Sequence, residues 1–201
     1  MLRRTLLILS TLSFAAAIQA APSVGQPAPE IALKDAGGKT VKLSDYRGKY
    51  VVLEWTNPGC PYVKKHYNSG NMAATQQDAA AKGAVWLSVN STEKGHFDYM
   101  EPARLAAWQK ERKLQAAATL MDEDGVAGKA YGARTTPHMY IVDPQGRLVY
   151  AGGIDSIPSN NTDDIKQAVN YVKQGLGEAV AGKPISAATT RPYGCSIKYK
   201  S

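Results

Sequence analysis

The residues best able to do chemistry lie together at Trp55-Thr56-Asn57-Pro58-Gly59-Cys60-Pro61-Tyr62-Val63. A nearly continuous apolar run from Tyr50 ends at Trp55, the turn-forming residues Asn57, Pro58 and Gly59 follow, and Cys60 falls where a helix should begin. Pro61 suits the first helical position, where its missing N–H removes no hydrogen bond. A thiol at a helix N-terminus faces free backbone donors and the positive end of the helix dipole, both of which favour the thiolate, and the thiolate is the nucleophile. The competing role for Cys60 is that of a small buried hydrophobe, the ordinary state of a free cysteine. Cys195 is the other cysteine of the chain, and neither belongs to a Cys-x-x-Cys pair, which argues against a structural zinc site.

Glu54 interrupts the run Val51-Val52-Leu53-Glu54-Trp55 six residues before Cys60. A carboxyl in such a strand is desolvated, which raises its pKa toward the range useful for proton transfer. Strand alternation leaves open the alternative of a polar edge or a structural ion pair. His66 also lies six residues from Cys60, on the other side. On a helix that rotates it about 240° from the thiol, so a surface or packing role is expected. His138 and Met139 offer ligand types that suit copper, but successive strand side chains point to opposite faces, so no metal site and no cofactor is expected.

These residues need a scaffold, and the chain from Pro27 onward alternates strands and helices. Residues 30–33 and 39–43 flank Gly37-Gly38 and predict a hairpin. Buried strands are expected over 50–55 and 84–89, and further strands over 117–121, 138–142 and 147–151. Asp143-Pro144-Gln145-Gly146 between the last two predicts an antiparallel turn. Helices are expected after Pro61, over 101–113 and over 163–176, the last with Ile165, Ala168, Val169, Val172 and Leu176 at helical spacing behind a Thr162 cap. A hairpin, βαβαβ, a second hairpin and a closing helix make an α/β fold with a mixed central sheet flanked by helices.

Residues 1–20 read differently. Arg3 and Arg4, an apolar run from Leu6 and the small residues Ala15, Ala16 and Ala17 describe a secretory signal peptide, with cleavage expected after Ala20. The apolar stretch is shorter than the roughly 20 residues that span a bilayer, so the membrane is expected to matter only during export. Loss of Arg3 and Arg4 lowers the formal charge from +7 to +5. The remaining basic residues are scattered, which excludes a nucleic-acid patch and points to solubility. A secreted or periplasmic site permits a disulfide. From Gly177 the composition turns to Gly, Ala, Thr and Pro, so 24–176 is expected to form the domain and 177–201 an irregular tail carrying Cys195.

Gly25-Gln26-Pro27-Ala28-Pro29, the segment Leu43 to Leu53, the Cys60 turn and Thr136-Pro137 together resemble the redoxin, or alkyl hydroperoxide reductase–thiol-specific antioxidant, superfamily over roughly residues 24–175. That resemblance implies a thioredoxin-like fold with an N-terminal β-hairpin. It also implies a cis Thr136-Pro137 loop beside the active cysteine, with Thr136 and Pro137 binding an extended substrate, and a proton-handling role for Glu54. Cys60 takes the place of the first cysteine of a thioredoxin Cys-x-x-Cys, and Val63 stands at the second. Aligned with a peroxiredoxin, the peroxidatic position again falls on Val63, so hydroperoxide turnover is expected to be weak or absent. The pattern is closest to the peroxiredoxin-like branch that keeps only the first cysteine. Within the resemblance, Cys60 is expected to attack protein or small-molecule disulfides, and Cys195 or an external thiol to resolve the product. The alternative is a non-enzymatic redox-sensing or partner-binding module whose cysteines form a permanent staple.

Overall fold

The computed structural model describes residues 22–200. The expected signal peptide and its cleavage point lie outside the described residues. The chain opens with β1 (Ala32–Asp35) and β2 (Thr40–Lys42), an antiparallel hairpin whose turn uses Gly38 at φ 86°, a conformation open to glycine and strained for side chains. There follow β3 (Val51–Trp55), α1 (Pro61–Asn68), α2 (Asn71–Ala81), β4 (Val85–Asn90), α3 (Pro102–Glu111), β5 (Ala118–Met121) and α4 (Val126–Tyr131). The chain continues through β6 (Thr135–Thr136), β7 (His138–Val142), β8 (Leu148–Gly152), α5 (Tyr171–Val180) and β9 (Cys195–Ser196).

Seven strands form one mixed sheet in the order β2-β1-β5-β4-β3-β7-β8. β3, β4 and β5 are parallel, while β1, β7 and β8 join their neighbours antiparallel. Strand alternation sorts the apolar residues into two cores. Val51, Leu53 and Trp55 face Leu87, Val89, Leu120, Tyr131 and Tyr140 on one side, where the Trp55, Tyr131 and Tyr140 rings pack at 5.1 to 5.2 Å between centroids. Val52 faces Val63, Tyr67, Trp86, Ile141, Val172 and Leu176 on the other, beneath α1, α2 and α5. This is the α/β, thioredoxin-like arrangement with an N-terminal hairpin that the sequence leads one to expect.

The helix expected over 163–176 is a misreading. A 3-10 turn spans Thr162–Lys166, capped by Asn161 and not by Thr162. The chain then opens so that Ser156 N–H donates to the Val169 carbonyl and Tyr171 N–H to that of Ile154. The α-helix starts afresh behind Asn170, whose side chain accepts from Lys173 N–H, and it runs past Gly177 to Val180. Val169, expected on the buried stripe, is 48% exposed. Two strong Asn caps and a bridge between Asp155 and Asn170 override the helical spacing.

After α5 the chain returns across the molecule. Ala151 N–H donates to the Ala188 carbonyl and Thr190 N–H to that of Ala151, which lays the segment along the edge of β8. The chain then forms β9, paired antiparallel with β6. Among the described residues, no helix is long and apolar enough to cross a membrane.

Candidate active site

Cys60 is the N-cap of α1, with Pro61 at the first helical position. Its placement is built by the loop before it. The Asn57 side chain accepts from Gly59 N–H at 2.7 Å and donates to the Thr92 hydroxyl at 2.8 Å, while Cys60 N–H donates to the Asn57 carbonyl. That Asx turn swings the chain from the end of β3 into α1 and leaves Cys60 only 3% exposed.

The Thr136-Pro137 peptide is cis, and the Thr136 carbonyl oxygen lies 3.2 Å from Cys60 Sγ. Cys60 and Cys195 are joined in a disulfide with their Cα atoms 5.9 Å apart, within the span such a bridge requires. Cys195 sits opposite Thr136 in the β6–β9 ladder, and Ile197 N–H donates to the Arg134 carbonyl. The tail strand therefore occupies the backbone edge of the Thr136-Pro137 loop.

Anchors hold the tail on both sides of Cys195. Upstream, the Tyr193 hydroxyl donates to Asp155 Oδ1 at 2.5 Å and lies 3.1 Å from His66 Nε2. Asp155 Oδ2 in turn is 3.6 Å from the Nζ of Lys65, a lysine whose side chain is fully buried and also donates to the Ile157 carbonyl. Downstream, the Tyr199 hydroxyl donates to the Ala133 carbonyl at 2.8 Å. Sequence reasoning missed this polar cluster. Lys65 and His66 read there as ordinary residues of a helix, and their partner lies on a loop some ninety residues later.

Glu54 is fully buried and accepts from the Tyr67 hydroxyl at 2.7 Å, Trp86 Nε1 at 3.0 Å and the Ser88 hydroxyl at 3.3 Å. Burial pushes its pKa up, and these hydrogen bonds pull it part of the way back. Among the described residues Cys60 is not one of its hydrogen-bond partners. Thr56, at 1% exposure, lines the small space beside Cys60 and Cys195.

His66 packs under the tail, held by Asn71 at 2.8 Å. Burial lowers its pKa to about 4, against the opposing pull of the Asp155 carboxylate. His138 stacks on Tyr140 at 4.5 Å and its Nδ1 accepts from Arg134 N–H, while burial and the Arg134 charge lower its pKa to about 3. Met139 packs in the opposite core. Among the described residues, no group of three or more His, Cys, Asp or Glu side chains is arranged to hold a metal.

Comparison with known proteins follows the same lines. The sequence profile of the AhpC/TSA family matches residues 24–151. Peroxiredoxin Bcp of Bacillus subtilis (strain 168) is 33% identical over 135 residues, covering 63% of this chain and 82% of that protein. Thiol-disulfide oxidoreductase ResA of the same organism is 26% identical over 128 residues, covering 63% of this chain and 65% of that protein. The crystal structure of an uncharacterized conserved protein from Geobacillus kaustophilus superposes with a TM-score of 0.74 at 26% identity, covering 94% of this chain and 98% of that one. A likeness of that extent runs well past Ala151, where the family profile ends, into the region that carries the tail. The profile takes in the hairpin, the Cys60 turn and the cis-proline loop alike, and on that match the chain belongs to the AhpC/TSA family.

Proposed function

We propose that this protein is an exported thiol–disulfide oxidoreductase whose working groups are Cys60 and Cys195. The observation that carries the reading is the Cys60–Cys195 disulfide, set at the N-terminus of α1 and beside the cis Thr136-Pro137 peptide. Cys60 supplies the stabilised thiolate of the pair, because the helix end favours its charged form. Cys195, brought in by β9, replaces the second cysteine that Val63 denies to α1. Thr136 and Pro137 hold the strand that carries the partner sulfur. That strand is β9 in the disulfide form, and an extended substrate segment takes its place when the tail is undocked. Glu54 takes up and returns protons beneath α1. The partners are protein or small-molecule thiols and disulfides. Export follows from the signal-peptide pattern of residues 1–20, and N-terminal sequencing of the secreted protein should begin at Ala21.

The competing role for the same bond is a permanent staple. The bridge joins residues 135 apart in sequence, for which loop closure alone stabilises the fold by about 4–5 kcal/mol. A redox titration against glutathione and dithiothreitol buffers separates the two. A working pair equilibrates with a potential above about −300 mV, whereas a structural disulfide lies below it. A potential below that limit would remove the oxidoreductase reading.

The identity with a peroxiredoxin favours a second reading. A hydroperoxide would oxidise the Cys60 thiolate to a sulfenic acid, releasing an alcohol or water. Condensation with the Cys195 thiol would then give the disulfide and water. Turnover is expected to be slow. Rapid thiol-dependent peroxide consumption, lost in Cys60→Ser, would make this the principal activity.

A further inference from the structure

We infer that Tyr193 is a positioning residue of the two-cysteine site. Its side chain latches the tail to the face of α1 beside Cys60, so that Cys195 stays at Cys60 when the disulfide opens, and the Thr136-Pro137 loop is open to a substrate only while the latch is undone. The inference rests on the oxidoreductase reading and deepens it.

Placement is the first reason. Tyr62 lies two residues after Cys60, and Tyr193 two residues before Cys195. Their rings meet edge to face at 5.9 Å between centroids, so the two segments joined by the disulfide touch a second time close to it. Tyr62, Lys65 and His66 stand at i, i+3 and i+4 on α1, the spacing that puts side chains on one helix face. All three reach Tyr193. The Lys65 Nζ lies 5.6 Å from its ring centroid and His66 Nε2 lies 3.1 Å from its hydroxyl. The helix that has Cys60 as its N-cap therefore also carries the seat of the tail that brings Cys195.

Hydrogen bonding is the second reason. The Asn71 amide donates to His66 Nδ1 at 2.8 Å, which assigns the proton of the neutral ring to Nε2. His66 Nε2–H then donates to the Tyr193 hydroxyl, and that hydroxyl donates to Asp155 Oδ1 at 2.5 Å. Each donor has an acceptor, and the series runs in one direction from the start of α2 through α1 and the tail to the loop after β8. Asp155 is itself fixed by Ile157 N–H at 3.1 Å and by Lys65 Nζ at 3.6 Å. Its side chain is 2% exposed, and a hydrogen bond to a buried charged group is stronger than one in water. None of these contacts involves either sulfur, so the latch does not depend on the S–S bond.

The consequence for the redox pair follows from linkage. Latch and disulfide favour the same closed tail, so each strengthens the other. In glutathione buffer, one protein disulfide and two glutathione thiols give the protein dithiol and one glutathione disulfide, and the two electrons the protein gains are those the thiols lose. A weaker latch lets the dithiol open, lowers the effective concentration of Cys195 at Cys60 and moves this equilibrium toward the dithiol. The same opening uncovers Cys60 and the loop edge that β9 occupies. A residue that only held the fold together would act equally on both redox forms and leave the equilibrium where it was.

The test compares the full chain with Tyr193→Phe, which keeps the ring and removes the hydroxyl. In glutathione buffers the equilibrium constant should shift about tenfold or more toward the dithiol, the order expected for a hydrogen bond to a charged group. A constant equal to that of the wild type would overturn this inference and leave the oxidoreductase reading standing, since that reading depends on the potential of the wild type itself. In a Cys195→Ser background, where no disulfide can hold the tail, Tyr193→Phe should raise the rate of Cys60 alkylation by iodoacetamide several-fold at a pH above its titration, because the reagent reaches the thiol through the open form. An unchanged rate would show that the latch does not close the tail by itself, and would also overturn the inference. Tyr62→Leu, which alters the seat from α1 alone, should move both readings in the same direction, and wild-type values in both would overturn the placement of that seat on α1.

Discussion

Gly194 approaches Thr136 so closely that a Cβ at this position would overlap the Thr136 carbonyl oxygen, and its φ of +132° is one that side chains rarely adopt. The residue next to Cys195 is thus the point at which the tail backbone can meet the cis-proline loop. Gly194→Ala should lift the tail and lower the effective concentration of Cys195 at Cys60. The combined strain is on the order of 1–3 kcal/mol, or roughly five- to 150-fold in the equilibrium constant for closing the disulfide. Equilibration of the variant against glutathione measures it. A constant equal to that of the wild type would show that the β6–β9 contact does not control the bond.

The two buried histidines make stability fall in mild acid. His66 has a pKa of about 4 and His138 of about 3, against about 6.5 in the unfolded chain, because burial disfavours their charged forms. A depressed histidine contributes stability that is fully present above pH 6.5 and is lost as pH falls from there toward the folded value. For His66 the whole loss is about 3 kcal/mol, reached near pH 4. Urea unfolding between pH 7.5 and 4.5 should show a declining midpoint, and His66→Gln should flatten the decline. An equal slope in the variant would mean that His66 is not buried uncharged.

Why the tail was illegible in the sequence follows from where its order comes from. Strands β3, β4 and β7 announce themselves as short apolar runs buried on both faces, and the Cys60 turn is written locally in Asn57, Pro58, Gly59 and Pro61. The cis-proline loop was likewise readable as a motif, by resemblance. The segment after Gly177 has no apolar period, and it is fixed by single long-range bonds from Thr190, Tyr193 and Tyr199 to residues far away in the chain. The stripe over 163–176 misled for the opposite reason. Its spacing was helical, but the Asn161 and Asn170 side chains bind backbone amides and divide it into two pieces.

Glu54 has the opposite sign to the histidines. Its folded pKa is raised by burial, so its stabilising contribution is present below the ordinary glutamate value and is lost as pH rises through the folded value. Glu54→Gln, which keeps a neutral group among Tyr67, Trp86 and Ser88, should gain stability over the wild type as pH increases. If the carboxyl also moves protons during exchange, the pH–rate profile of disulfide reduction should lose one limb in the variant. A stability difference that is constant with pH would show that Glu54 is ionised at its usual pKa. An unaltered rate profile would leave it a structural group.

Three influences act on the Cys60 thiol, and their balance decides whether it is reactive. The helix end lowers its pKa, since Cys60 caps α1 with no acidic residue in the first turn. Such an interaction is worth up to about 2 kcal/mol in a partly buried setting. Burial raises the pKa, and so does the Thr136 carbonyl oxygen at 3.2 Å, which accepts from a thiol and repels a thiolate. A neutral hydrogen bond of that kind contributes only about 0.5–1.5 kcal/mol, less than the helix end can supply, and Cys60 has a thiol to titrate only when its disulfide is broken. Once that bond is absent, the helix end should prevail. Cys195→Ser should therefore present Cys60 with a pKa below the unperturbed value of about 8.5. Alkylation rates with iodoacetamide across pH 5–10 would give its titration directly. A midpoint at or above that value would mean that Cys60 is a buried thiol with an ordinary nucleophilicity, and the disulfide beside it a staple.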